Sequence, residues 1–110
     1  MEVTKIDTID HRTRKYRNEY GGFNIEDYSD MNESAVLTAL RVLPQYQGKG
    51  HGKDLLNQAE GIARLLGFEE IILKVEEGTW QEEWYKRSGY EFLLKENEDS
   101  EYVWLKKDLI

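Results

Sequence analysis

The sequence predicts an α/β fold, a mixed central sheet with helical crossovers. Three observations carry this. Apolar and polar residues alternate from about Lys15 to Tyr28, the period of strands, and a continuous apolar run follows from Ser34 to Leu43. The period then switches to helical between Leu55 and Leu66, and strand, helix and strand patterns follow to the end. A chain of 110 residues is one domain, close to the commonest domain size, and can bury about two-thirds of its unfolded surface.

Each element has its own signal. Residues 1–12 read as a short helix, with Val3, Ile6 and Ile9 on one face, or as an irregular N-terminal arm. Tyr16, Asn18 and Tyr20 alternate with charged residues. Gly21-Gly22 and the run Phe23 to Tyr28 follow, which predicts a hairpin turning at the two glycines. Ser29 to Asn32 is turn-like. Ser34 to Leu43 is an apolar run closed by Pro44, expected to be a buried central strand.

Leu55, Leu56, Ala59, Ile62, Ala63 and Leu66 form one face of an amphipathic helix, which Gly67 ends. Ile71 to Val75 is a short apolar strand. A second helix is expected from about Trp80 to Ser88, with Thr79 and Glu82 at capping-box spacing and Gly89 as its stop. Trp80 and Trp84 on it are expected to pack in the core or at its edge. Tyr90 to Lys95 and Tyr102 to Lys106 are strands joined by a polar turn at Asn97 to Ser100.

Composition excludes several functions. There is no cysteine, so thiol nucleophiles, iron–sulfur clusters and cysteine-bound zinc are out. His11 and His51 stand 40 residues apart, without ligand spacing, and no metal site is expected. The 22 acids against 15 bases leave a net charge of −7, which disfavours nucleic acid and anionic membrane as partners. No apolar run approaches the roughly 20 residues of a transmembrane helix, and no signal-peptide pattern opens the chain. A cytoplasmic location is expected.

The segment Val42 to Lys53 joins the buried strand to the amphipathic helix. Its glycines let backbone N–H groups approach a ligand closely, and the helix start adds partial positive charge. That is the physics of an anion site, most naturally a phosphate or pyrophosphate. A P-loop does not fit, because Gly48 and Gly52 are one residue too close and Asp54 follows Lys53. The dinucleotide fingerprint fails on the spacing of Gly48, Gly50 and Gly52. What remains is [QR]-x-x-G-x-[GA], carried by Gln47, Gly50 and Gly52.

With Val42, Pro44, Tyr46, Gly48, Leu55 and Leu56 around it, this loop resembles the acyl-CoA pyrophosphate loop of the GNAT-family N-acetyltransferases. Tyr85 to Tyr90 resembles the same family's Y-x-x-x-G-[FY] signature. The resemblance runs over residues 34 to 92 and extends from about 16 to 107. It implies a GNAT-like acyl-CoA N-acyltransferase fold, with acetyl-CoA as co-substrate and direct transfer to a primary amine. It also implies that acetyl-CoA lies between the strand ending at Val42 and the strand Ile71 to Val75. The pantetheine arm would pair with the backbone of Leu40, Arg41 and Val42. Gln47, Gly48, Lys49, Gly50, His51, Gly52 and Lys53 would hold the pyrophosphate, and Tyr85 would protonate the departing thiolate.

The acceptor's base is less evident. The family often carries a Glu on the strand before the loop, but Val36, Thr38 and Leu40 hold the alternating positions here. Glu33 at the strand's start is the nearest acid, and Glu26 or Asp27 on the preceding strand could reach across. Gly78 stands where the family often has Asn, and Gln81 replaces a small residue. The two helices that usually wall the acceptor site have no room between Ile9 and Lys15. An open, acidic acceptor side suits a protein lysine or a polyamine better than a small neutral amine, and a homodimer could cover it. The competing reading is a catalytically inactive GNAT-fold binding module.

Overall fold

In the computed structural model, residues 2–7, 11–28, 30–31 and 33–110 are described. Seven strands and two helices follow in the order β1 (Glu2–Asp7), β2 (His11–Arg17), β3 (Gly21–Tyr28), β4 (Ser34–Val42), α1 (His51–Leu65), β5 (Glu70–Glu76), α2 (Trp80–Arg87), β6 (Glu91–Lys95) and β7 (Tyr102–Asp108). The strands make one sheet in the order β1-β2-β3-β4-β5-β7-β6. Only β4 and β5 pair in parallel; every other neighbouring pair is antiparallel. The sheet is therefore mixed, as the sequence predicts.

Two local expectations fail. Glu2–Asp7 is neither helix nor loose arm, but pairs along its length with β2; Ile9 lies outside the described residues. The β2–β3 hairpin turns at Asn18 to Tyr20 rather than at Gly21-Gly22. The Asn18 side-chain oxygen accepts from the N–H of Tyr20 and of Gly21, at 2.8 and 3.2 Å, and closes the turn. The two glycines belong to β3 because strands crowd there. A Cβ on Gly21 would lie 2.0 Å from the Arg41 carbonyl oxygen, and one on Gly22 2.4 Å from that of Tyr16.

The other elements match their signals within a few residues. Gly67 ends α1 in a Schellman motif, with its N–H on the Arg64 carbonyl and that of Phe68 on Ala63. The Thr79 hydroxyl caps α2 by accepting from the Glu82 N–H, while the Glu82 carboxylate accepts from the Gly78 N–H. Trp80 departs from expectation: it is 71% exposed, whereas Trp84 packs against the core.

Both helices lie on one face of the sheet. Leu55, Leu56, Ala59 and Ala63 of α1 pack with Phe23, Ile25, Leu37, Ile71, Leu73 and Leu105 in one cluster, and Trp84 and Tyr85 of α2 pack against it. Glu60 of α1 ties that face together. Its buried carboxylate accepts from the Tyr90 hydroxyl at 2.9 Å and the Lys107 ammonium at 3.0 Å, and Lys107 also donates to the Ser88 carbonyl. The opposite face carries no described helix. β1 and β2 are separated only by residues 8–10, where the two acceptor-walling helices would stand.

Candidate active site

The sheet forks at its centre. β4 and β5 pair only at Ser34, Ala35 and Val36, opposite Glu70, Ile71 and Ile72. The cause lies on the other edge of β4. Its register with β3 jumps between Asn24↔Thr38 and Gly22↔Arg41, so Ala39 and Leu40 together oppose Phe23. This is a β-bulge, and Ala39 takes a φ of 55°, a rare conformation for a non-glycine residue. A bulge bends its strand, and here β4 parts from β5. From Leu37 to Val42, β4 is paired with β3 alone among the described strands. Leu40, Arg41 and Val42 therefore lie on an edge facing the fork.

At the open end of β4 a 3₁₀ turn, Pro44–Tyr46, leads into the glycine loop. Gly48 and Gly50 take φ of 77° and 88°, and a Cβ on either would meet nothing within 4 Å. Gly50 is the N-cap of α1, and the first helical bond runs from the Asp54 N–H to its carbonyl. The backbone N–H groups from Gly48 to Lys53 have no backbone acceptor among the described residues. Exposed donors at a helix start, with positive helix-end charge behind them, suit a phosphate or pyrophosphate.

The loop is braced from two sides. The Gln47 amide donates to the Val42 carbonyl at 3.0 Å, so its side chain holds the loop to the strand. Its partner is one of the backbone groups expected to pair with pantetheine. His51 stacks on Tyr20 at 3.8 Å between ring centroids, and Tyr46 meets both rings edge-on. The Tyr20 carbonyl also accepts from the Leu43 N–H at 2.8 Å. The β2–β3 turn thus grips both ends of the loop, a role the sequence reading gave to none of these side chains. Gly52 faces Trp84 and Val42, at 3.6 and 3.7 Å from its would-be Cβ. Lys49 and Lys53 are exposed beside the donors.

Tyr85 lies on α2, half-buried, edge-on to Trp84 at 5.0 Å and to Tyr90 at 5.6 Å. Burial pushes its phenol up to about 12, so it keeps its proton throughout the physiological range. Glu33 is brought to neither the fork nor Tyr85. It stands just before Ser34, at the closed end of β4, with its side chain exposed and its carbonyl accepting from the Glu69 and Glu70 N–H groups. Among the described residues no group of acids and histidines could hold a metal ion, and no helix is long and apolar enough to cross a membrane.

The donors at Gly48–Lys53 and the free edge of β4 together fit an acyl-CoA, which has a pyrophosphate at one end and amide-bearing pantetheine at the other. Comparison with known proteins bears on the family and the fold. The acetyltransferase (GNAT) domain profile matches residues 13–92. No curated protein matches the sequence significantly. Among solved structures, a Klebsiella pneumoniae protein described as an acyl-CoA N-acyltransferase superposes with a TM-score of 0.75 at 19% identity, covering 96% of this chain and 77% of its own. The PaiA N-acetyltransferase of Thermoplasma acidophilum, solved with coenzyme A, gives 0.68 at 23% identity over 90% of this chain and 61% of its own. An IAA acetyltransferase of Bacillus cereus gives 0.70 at 18% over 90% and 78%. Fold, loop and sequence profile agree that this chain belongs to the GNAT family of acetyltransferases, whose co-substrate is acetyl-CoA.

Proposed function

We propose that this chain transfers the acetyl group of acetyl-CoA directly to a primary amine, and that the amine belongs to a protein lysine or a polyamine. The observation that carries the reading is the fork between β4 and β5 opening beside a run of unpaired N–H donors. In this reading the backbone from Gln47 to Lys53 binds the pyrophosphate, with Lys49 and Lys53 adding charge. The freed edge of Leu40, Arg41 and Val42 receives the pantetheine amides as a neighbouring strand would. Bound acetyl-CoA supplies an acetyl group activated as a thioester. Tyr85 carries a proton for the departing sulfur, and its phenol is protonated at neutral pH.

The acceptor class rests on two features. No described helix lies on the face opposite α1 and α2, which suits a group presented by a large or extended molecule. The net charge of −7 attracts cations. The test is release of free thiol from acetyl-CoA with three amines: a peptide carrying one lysine, spermidine, and a small uncharged aromatic amine. The reading expects turnover with the first two. Turnover confined to the small amine contradicts the acceptor class, and no turnover with any contradicts transfer.

A further inference from the structure

The face of the sheet away from the helices carries two cations without a carboxylate partner. Lys15 and Arg41 are exposed and make no ion pair among the described residues, in a chain with 22 acids against 15 bases. The register puts both on that face. Tyr16 and Phe23 share a rung and belong to the helix-side cluster. Side chains alternate along a strand, so Lys15, Gly22 and Asn24 are on the opposite face. Arg41 pairs with Gly22 and shares its face. Arg17, on the other side of Gly22, is a third cation there and is already engaged.

Two neutral polar groups lie between these cations. Lys15, Asn24 and Thr38 form one row across β2, β3 and β4. Thr38 Oγ1 is buried and makes no hydrogen bond among the described residues. Buried polar groups are nearly always satisfied, so a missing partner is indicated. Asn24 is half-buried, and its side-chain amide also lacks a partner among the described residues. Arg41 Nη1 donates to the Ala39 carbonyl at 2.8 Å, which turns the guanidinium back along β4 toward this row. That bond uses one of five guanidinium donors. Glu26 lies one row further toward the closed end, opposite Val36, where its carboxylate accepts from the Tyr28 and Thr13 hydroxyls.

We propose that this patch binds a carboxylate carried by the acceptor, with Arg41 and Lys15 supplying charge and Asn24 and Thr38 supplying further donors. A guanidinium can meet a carboxylate through two parallel N–H bonds, which fixes orientation as well as affinity. The favoured acceptor is then a lysine with an aspartate or glutamate close by in the same peptide. A polyamine offers no such group, and its ammonium charges are repelled by Lys15 and Arg41. The net charge of −7 and this patch act at different ranges. The first draws a lysine-bearing segment toward the chain, and the second selects how that segment lies.

The subsite rests on the transferase reading, and the experiment separates the two. Wild type, Lys15→Gln, Arg41→Gln and the double variant are assayed with three amines. These are a peptide with one lysine between glutamates, the same peptide with glutamines in their place, and spermidine. Acetyl-CoA affinity is measured by calorimetry in parallel. Wild type should favour the glutamate peptide about fivefold in kcat/KM, mostly through KM, as befits exposed charge pairs. Each single variant should lower that preference, and the double variant should abolish it. The preference is a ratio within one protein, so a partial loss of fold cancels from it. Turnover of spermidine relative to the glutamate peptide should rise in the double variant. In protein loaded with CoA, the Asn24 side-chain amide signals should shift with the glutamate peptide and not with the glutamine peptide. Equal use of the two peptides by wild type overturns the subsite and leaves the transferase reading intact. So does a preference that survives in the double variant. Weaker acetyl-CoA binding in Lys15→Gln with the preference unchanged assigns the cation to the co-substrate, and also overturns the subsite. A wild-type chain that binds no acetyl-CoA overturns the reading on which the subsite rests.

Discussion

Tyr85 and Gly50 show how much can rest on single residues. In the proposed reaction the Tyr85 phenol, held near 12 by burial, is protonated at neutral pH and gives that proton to the departing sulfur. Tyr85→Phe should therefore lower kcat by roughly 10²-fold with acetyl-CoA affinity unchanged, measured by steady-state kinetics and calorimetry. Burial raises the Tyr90 phenol too, and the Glu60 carboxylate adds to it. A phenol whose folded pKa exceeds its unfolded value stabilises the fold fully below pH 10. That contribution is lost as pH rises through the folded value. The melting temperature should thus fall above pH 10, and less steeply in Tyr85→Phe. An equal fall in the variant would count against a buried Tyr85. Gly50 acts through backbone shape: its φ of 88° disfavours any Cβ, although the space around it is open. Gly50→Ala should cost about 1–2 kcal/mol in a denaturant titration.

Among the elements, β4 and the start of α1 do most of the positioning. The Ala39 bulge opens the fork, and the Tyr20–His51 stack holds the loop where it enters the helix. Such a ring pair is worth about 1 kcal/mol, so Tyr20→Ala should weaken acetyl-CoA about fivefold with helix content unchanged by circular dichroism. The sequence made much of this legible. The period change at Leu55, the glycine at 67 and the Thr79–Glu82 cap are local signals, and local structure obeyed them. The glycine loop could be read because its chemistry lies in consecutive residues. The Gly21-Gly22 pair suggests a turn but lies in β3, because those glycines answer to Arg41 and Tyr16, residues distant along the chain or across the hairpin. β1 gives no sign of itself, since its pairing comes entirely from β2. The bulge leaves no mark at Ala39, and face assignments such as Glu26 against Asp27 need the register.

At the scale of the whole molecule, the design is half of a layered α/β domain. Two helices close one face of a seven-stranded sheet, and no described helix closes the other. The chain as a whole carries a net charge of −7. Screening shortens its reach from about 30 Å at 0.01 M salt to about 8 Å at 0.15 M. KM for spermidine should accordingly rise severalfold across that range, and a flat response would remove charge from the account of acceptor choice.

The central claim is that the loop from Gln47 to Lys53 binds the pyrophosphate of acetyl-CoA beside the fork. The most direct measurement is a calorimetric titration of the chain with acetyl-CoA, against Gly50→Glu, which sets a carboxylate among the donors. The account predicts micromolar binding by the natural chain and none by the variant. Equal binding by both would contradict the placement of the pyrophosphate, and no binding by either would contradict the site itself.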